Sequence, residues 1–132
     1  LHVKLEHLPR WNEQRAHVAG WYRENLRDCP AVVLPAEMPW CGRHVWHLFV
    51  VRFPAHDRDA VAARLLADGI QTVVHYPIPI HRQKAYAELG YQAGAFPNAE
   101  RAAASILSLP MFPEMTRAQC DYVCERLRAA LA

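Results

Sequence analysis

Near the start of the chain, Trp11, Val18, Trp21, Tyr22 and Leu26 recur at helical spacing, and Glu13, Gln14, Arg15 and Arg23 fill the positions between them. The pattern predicts an amphipathic helix ending near Asp28, ahead of Pro30. Residues 1–8 read as a helix already in progress, which Pro9 bends or restarts. Residues 31–43 carry the breakers Pro35, Pro39 and Gly42 around a short strand at Val32, Val33 and Leu34. Over residues 44–53 the pattern changes to alternation. Val45, His47, Phe49 and Val51 point one way, and Trp46, Leu48, Val50 and Arg52 the other. Both faces are largely apolar, which predicts a strand in the middle of a sheet.

Asp57 is placed to cap a helix through Ala67, with Val61, Leu65 and Leu66 facing inward and Gly69 as its stop. Residues 70–74 predict the next strand, and strand, helix and strand in this order place the helix across a sheet. A short helix over 81–89 closes at Gly90. Asn98 is the expected cap of a helix to about Ile106, and Ser108 to Met111 is extended. Thr116 with Gln119 three residues on is a capping box for the last helix, whose apolar face is Tyr122, Val123, Leu127 and Leu131.

A length of 132 residues predicts one domain. At 52% hydrophobic and 21% charged, the composition is that of a soluble globular protein. No apolar run reaches the roughly 20 residues that span a bilayer, and no export signal opens the chain. The net charge of +2 comes with scattered arginines, so neither a nucleic-acid face nor a membrane partner is predicted. Cys29, Cys41, Cys120 and Cys124 lack metal-binding spacing and read as reduced thiols of a cytoplasmic protein, a Cys29–Cys41 disulfide being the alternative. Only two lysines occur, Lys4 and Lys84.

The candidate chemistry lies at the end of the predicted strand 70–74. There Thr72-Val73-Val74 runs into His75-Tyr76-Pro77-Ile78-Pro79-Ile80-His81. Each proline fixes its own φ and holds the preceding residue extended, so two imidazoles and a phenol sit on stiff backbone. Such a segment suits either a ligand wall or a structural corner. As a metal pair, His75 and His81 lack a third ligand nearby. His47, on a mostly apolar strand face, reads as a hydrogen-bonded core histidine. The four tryptophans read as packing residues, and no phosphate-binding glycine loop or nucleophile–base motif is present.

Several segments, taken in order, carry a family resemblance. They include Val3-Lys4-Leu5 with His7-Leu8, Trp11-Asn12 with Arg15, and Trp46 through Arg52. Gly69-Ile70-Gln71-Thr72 leads into His75-Tyr76, Pro77, Pro79 and His81. Gln83, Ala85-Tyr86, Phe96-Pro97, Ala99-Glu100 and Ser108-Leu109-Pro110-Met111 follow, then Pro113, Met115-Thr116 and Gln119. Together they resemble the C-terminal small domain of the DegT/DnrJ/EryC1/StrS aminotransferases, pyridoxal-phosphate enzymes of amino-sugar biosynthesis that aminate nucleotide-linked keto-sugars. Lys84 departs from the family pattern, where a small residue or proline is expected.

The resemblance implies an α+β fold, with a small antiparallel or mixed sheet and helices on one side, as in the small domain of a fold-type I pyridoxal-phosphate-dependent transferase. Residues 1–28 become the linking helix of a single domain, 1–132, from which the N-terminal cofactor-binding large domain is absent. That missing domain would be the main partner, in a homo-oligomer acting on a nucleotide-sugar. His75, Tyr76 and His81 are implied substrate contacts rather than catalytic bases. Neither lysine stands in the family's Schiff-base context, so the chain alone is expected to bind no cofactor and to be inactive as a transaminase. The alternative is a stand-alone sugar-nucleotide binding or interaction module without transaminase activity. An apolar patch on the opening helix, with Trp11 and Trp21, is the expected site of self-association.

Overall fold

The computed structural model describes all 132 residues. Two helices open the chain, α1 (His2–Leu5) and α2 (Leu8–Leu26), with Pro9 in the first turn of α2, where a missing N–H costs nothing. The linking helix of the sequence reading is therefore two helices broken at Glu6 and His7. Val18, Ala19, Tyr22 and Leu26 form the buried stripe of α2. Trp11 and Trp21 are only half-buried. The exposed apolar residues at this end are Leu1, Val3, Leu5 and Leu8, so the patch expected around the two tryptophans lies one to three turns earlier.

Strand β1 (Phe49–Arg52) pairs antiparallel with β2 (Ile106–Leu109), placing Phe49 opposite Leu109 and Val51 opposite Leu107. Single antiparallel bridges extend the pair on both sides, Val33 to Arg52 and Val73 to Ser108. The order across the sheet is Val33, β1, β2, Val73. The central position predicted for β1 holds. Its predicted length does not, because the strand begins at Phe49 rather than His44. Trp46 adopts φ 49°, outside the extended region, and donates its N–H to His44 Nδ1 at 3.0 Å. That turn breaks the alternation and brings the Trp46 ring to 5.7 Å from Phe49, into the core. His47 is left exposed, not a core histidine.

The remaining helices follow their local signals. Asp57 caps α3 (Arg58–Ala67) by accepting from the N–H groups of Asp59 and Ala60. Gly69, at φ 77°, provides the left-handed turn that ends it. Val61 and Leu65, four apart, are buried, whereas Leu66 lies about 100° round the helix and is exposed. Helix α4 (Pro97–Ser105) starts one residue before the expected Asn98 cap, because Pro97 occupies the first helical position. Helix α5 (Arg117–Leu131) has the full Thr116–Gln119 capping box. It buries Cys120, Val123, Cys124 and Leu127, while Tyr122 is exposed and Leu131 only partly covered.

Helices α2, α3 and α5 pack together over one face of the sheet. Phe49, Val51, Leu107 and Leu109 project from that face and are all buried. Tyr22 stacks on Phe49 at 4.7 Å and donates its hydroxyl to the Pro110 carbonyl at 2.8 Å. All four cysteines are free thiols; Cys29 is buried and Cys41 exposed, and no disulfide joins them. The hydrogen bond that the Cys120 thiol donates to Cys124, together with burial, pushes the Cys120 thiol up. No helix is long and apolar enough to cross a membrane.

Candidate functional site

The opposite face of the sheet has no helix layer. Residues with the parity of Val50 and Arg52 in β1 and of Ile106 and Ser108 in β2 point to it. Val73 is bridged to Ser108, and His75, two residues on, points the same way. His75 Nδ1 lies 2.9 Å from Ser108 Oγ. Tyr76 meets the His75 ring edge-on at 5.6 Å and is 72% exposed. The peptide bond between them is cis.

Beyond Tyr76 the chain turns through two short 3₁₀ helices, Ile80–Arg82 and Lys84–Leu89, which Gly90 closes at φ 70°. The helix predicted over 81–89 is thus split in two at Gln83. With α4 this segment, the arch, forms a cavity of about 630 Å³ that is broadly open to solvent. Its lining includes Tyr76, Ile80, His81, Tyr86 and Phe96, together with Ala99 and Ala103 of α4. The lining is mainly apolar and aromatic, with a few polar groups at fixed positions, as in small-molecule sites generally.

His81 is one of those fixed groups. Its side chain is only 8% exposed and its Nε2–H donates to Glu100 Oε1 at 2.8 Å. Its ring lies 4.8 Å from Phe96, which meets Tyr91 edge-on at 5.0 Å. Glu100, in the first turn of α4, also accepts from the Gly94 N–H through both oxygens at 2.9 Å. The Gly94 amide, and after it His81, holds the Glu100 carboxyl below the usual carboxylate range. Gly94 sits at φ 87°, the left-handed conformation that turns its N–H onto the carboxylate. Glu100 therefore clasps both ends of the arch to α4.

Of the three residues singled out from the sequence, Tyr76 and His81 line the cavity together. His75 does not line it; it lies beside the cavity on the open sheet face. Sequence reasoning missed the partners that orient the two imidazoles. Ser108 had a legible signal, as a lone hydroxyl in the apolar run Ile106-Leu107-Ser108-Leu109. Glu100 had none, since only the arch brings it to His81.

The resemblance implies pyridoxal phosphate, whose aldehyde needs an amine held in a protected site. The two lysines do not meet that need. Lys4 lies on α1 and Lys84 on the arch, both are exposed, and neither lines the cavity.

Comparison with known proteins agrees with the residue pattern. The chain is 43% identical over 129 residues to the erythromycin biosynthesis sensory transduction protein EryC1 of Saccharopolyspora erythraea, covering 98% of this chain and 34% of that protein. It is 39% identical over 128 residues to the dTDP-3-amino-3,4,6-trideoxy-alpha-D-glucose transaminase of Streptomyces venezuelae, covering 97% and 33%. Among solved structures, S. venezuelae DesV in complex with a ketimine intermediate superposes with a TM-score of 0.90 at 38% identity, covering 97% of this chain and 34% of that one. The structure of ntda from Bacillus subtilis with bound cofactor PMP superposes with a TM-score of 0.75 at 31% identity, covering 92% and 28%. The chain spans about a third of the length of the curated relatives it matches. With its match extending over residues 1–128, the chain belongs to the DegT/DnrJ/EryC1/StrS aminotransferase family.

Proposed function

We propose that residues 1–132 are the C-terminal small domain of a pyridoxal-phosphate-dependent aminotransferase acting on nucleotide-linked keto-sugars in the cytoplasm. The observation that carries this reading is the family match over 1–128 at one third of the relatives' length. In the whole enzyme the cofactor supplies the electron sink for amine transfer. The residues described above supply a wall: Tyr76 and His81 bound an apolar cavity, and His75 stands beside it on the open face. Their proposed role is to contact and orient substrate. With both lysines exposed, the chemistry belongs to a large domain outside these residues, and the chain alone does not transaminate. Self-association is part of the same reading and is assigned to the exposed apolar residues of α1.

Adding pyridoxal phosphate to the chain and trapping with borohydride tests the inactivity. The expected result is no visible band from a lysine-bound cofactor and no stoichiometric adduct. A stoichiometric adduct on Lys84 sinks the claim. Calorimetry with a dTDP-linked sugar separates this reading from a stand-alone binding module, since clear saturable binding by the isolated chain favours the module.

A further inference from the structure

Ser108 is the one polar residue buried in this chain, at 4% exposure. Its backbone is already occupied: the N–H donates to the Val73 carbonyl at 2.8 Å, and its carbonyl accepts from the Val73 N–H at 3.3 Å. Only the hydroxyl is left, and its one hydrogen-bond partner is His75 Nδ1 at 2.9 Å. From this geometry we infer that Ser108 is a positioning residue that fixes His75 as a hydrogen-bond donor through Nε2, directed to an acceptor oxygen of the substrate.

Two hydrogens, one on the imidazole and one on the hydroxyl, decide the state of His75. A neutral imidazole carries one N–H and one bare nitrogen, and the group bonded to one nitrogen decides the state of the other. If Nδ1 carried the hydrogen, it would donate to Ser108 Oγ, and the buried hydroxyl hydrogen would have no acceptor. Buried polar groups are seldom left in that condition. If Nδ1 is bare, the hydroxyl donates to it and both groups are satisfied. The hydrogen then sits on Nε2, to which no protein group is bonded. Should the ring gain a proton, Ser108 Oγ accepts from Nδ1–H, and Nε2 keeps its hydrogen. Nε2 is a donor in both charge states and has no lone pair with which to remove a proton. His75 therefore suits a carboxylate, phosphate, carbonyl or hydroxyl oxygen, and it is unsuited to act as a general base through Nε2.

The tautomer is a property of the chain itself. Only the donation to substrate rests on the function proposed above, and the two halves have separate readouts. Long-range ¹H–¹⁵N correlation spectra of the chain at about pH 8, where an ordinary histidine is neutral, read both ring nitrogens of His75. The expected pattern is a bare Nδ1 and a protonated Nε2, with one tautomer favoured by roughly tenfold, as a buried hydroxyl bond implies. Ser108→Ala is expected to mix the tautomers, and Ser108→Thr, which keeps a hydroxyl, to restore the single pattern. A protonated Nδ1 in the unaltered chain overturns the assignment, and this holds even if Ser108→Ala does not fold. So does an unchanged His75 pattern in a folded Ser108→Ala chain. With the tautomer in place, addition of dTDP-glucose to a histidine-labelled enzyme carrying this domain is expected to move the Nε2–H resonance. No movement at saturation, with other site resonances shifted, overturns the substrate half alone.

Discussion

The two faces of the sheet are made by the same two strands and treated in opposite ways. Under the helices, Phe49, Val51, Leu107 and Leu109 are shut from solvent, and the only polar group among them is the Tyr22 hydroxyl, which Pro110 receives. On the other face Arg52, Ser108 and, from the neighbouring bridge, His75 stand among Val50, Ile106 and Val73, with an apolar cavity beside them rather than a helix layer. The covered face is a packing surface whose value is area removed from water. The open face orders polar groups with side-chain hydrogen bonds and leaves apolar surface exposed. On the function proposed above, stability and recognition are divided between the faces, so substitutions on the two should separate into different measurements.

The largest effect is expected on the covered face. Leu107→Ala removes a fully buried side chain opposite Val51 and should lower unfolding free energy by about 2–5 kcal/mol in urea titrations. A loss under 1 kcal/mol would mean the helices do not seal that face. Next is Tyr22→Phe, which keeps the stack on Phe49 and deletes the donor to Pro110. Burial pushes the Tyr22 hydroxyl well above its ordinary value, so it remains a donor at all working pH. The expected cost is about 1 kcal/mol, measured the same way.

On the open face, Tyr76→Ala should change stability by less than about 0.5 kcal/mol, because the side chain is mostly in solvent. If the proposed function is right, the same change weakens nucleotide-sugar affinity in an enzyme carrying this domain. A large stability loss with unchanged affinity would reverse the division drawn here.

The smallest effect is a titration. The Gly94 amide and His81 depress the folded pKa of Glu100. Its stabilising contribution is therefore complete above the unfolded value, about 4.3, and is lost as pH falls through the lower folded value. The Gly94 amide proton should hold a constant NMR shift from neutral pH down to about pH 4, then move. Glu100→Gln should abolish that step. A step centred above pH 4.3 would mean that Glu100 does not clasp the arch.

Elements closed by neighbouring residues were legible in the chain. The Asp57 cap and the Thr116–Gln119 box need only side chains and amides two or three residues apart, so their sequence spacing is their geometry. The start of β1 was not legible, because Trp46 leaves the extended region to reach the core beside Phe49. Alternation cannot report a residue whose ring is buried by turning the backbone. Leu66 was misplaced because it lies about 100° round the helix from the buried Leu65 and Val61.

The segment from His75 to His81 shows the same limit at the site. The sequence by itself determined a stiff, proline-set segment bearing two imidazoles and a phenol, and its ordered motifs determined the family. Only the tertiary structure decided that the imidazoles have separate duties, His81 clasped to Glu100 at the cavity and His75 set against Ser108 on the open face. Backbone stiffness is a local property that proline imposes within one residue. A histidine's partner is a residue 19 or 33 positions away, and only packing brings it within reach.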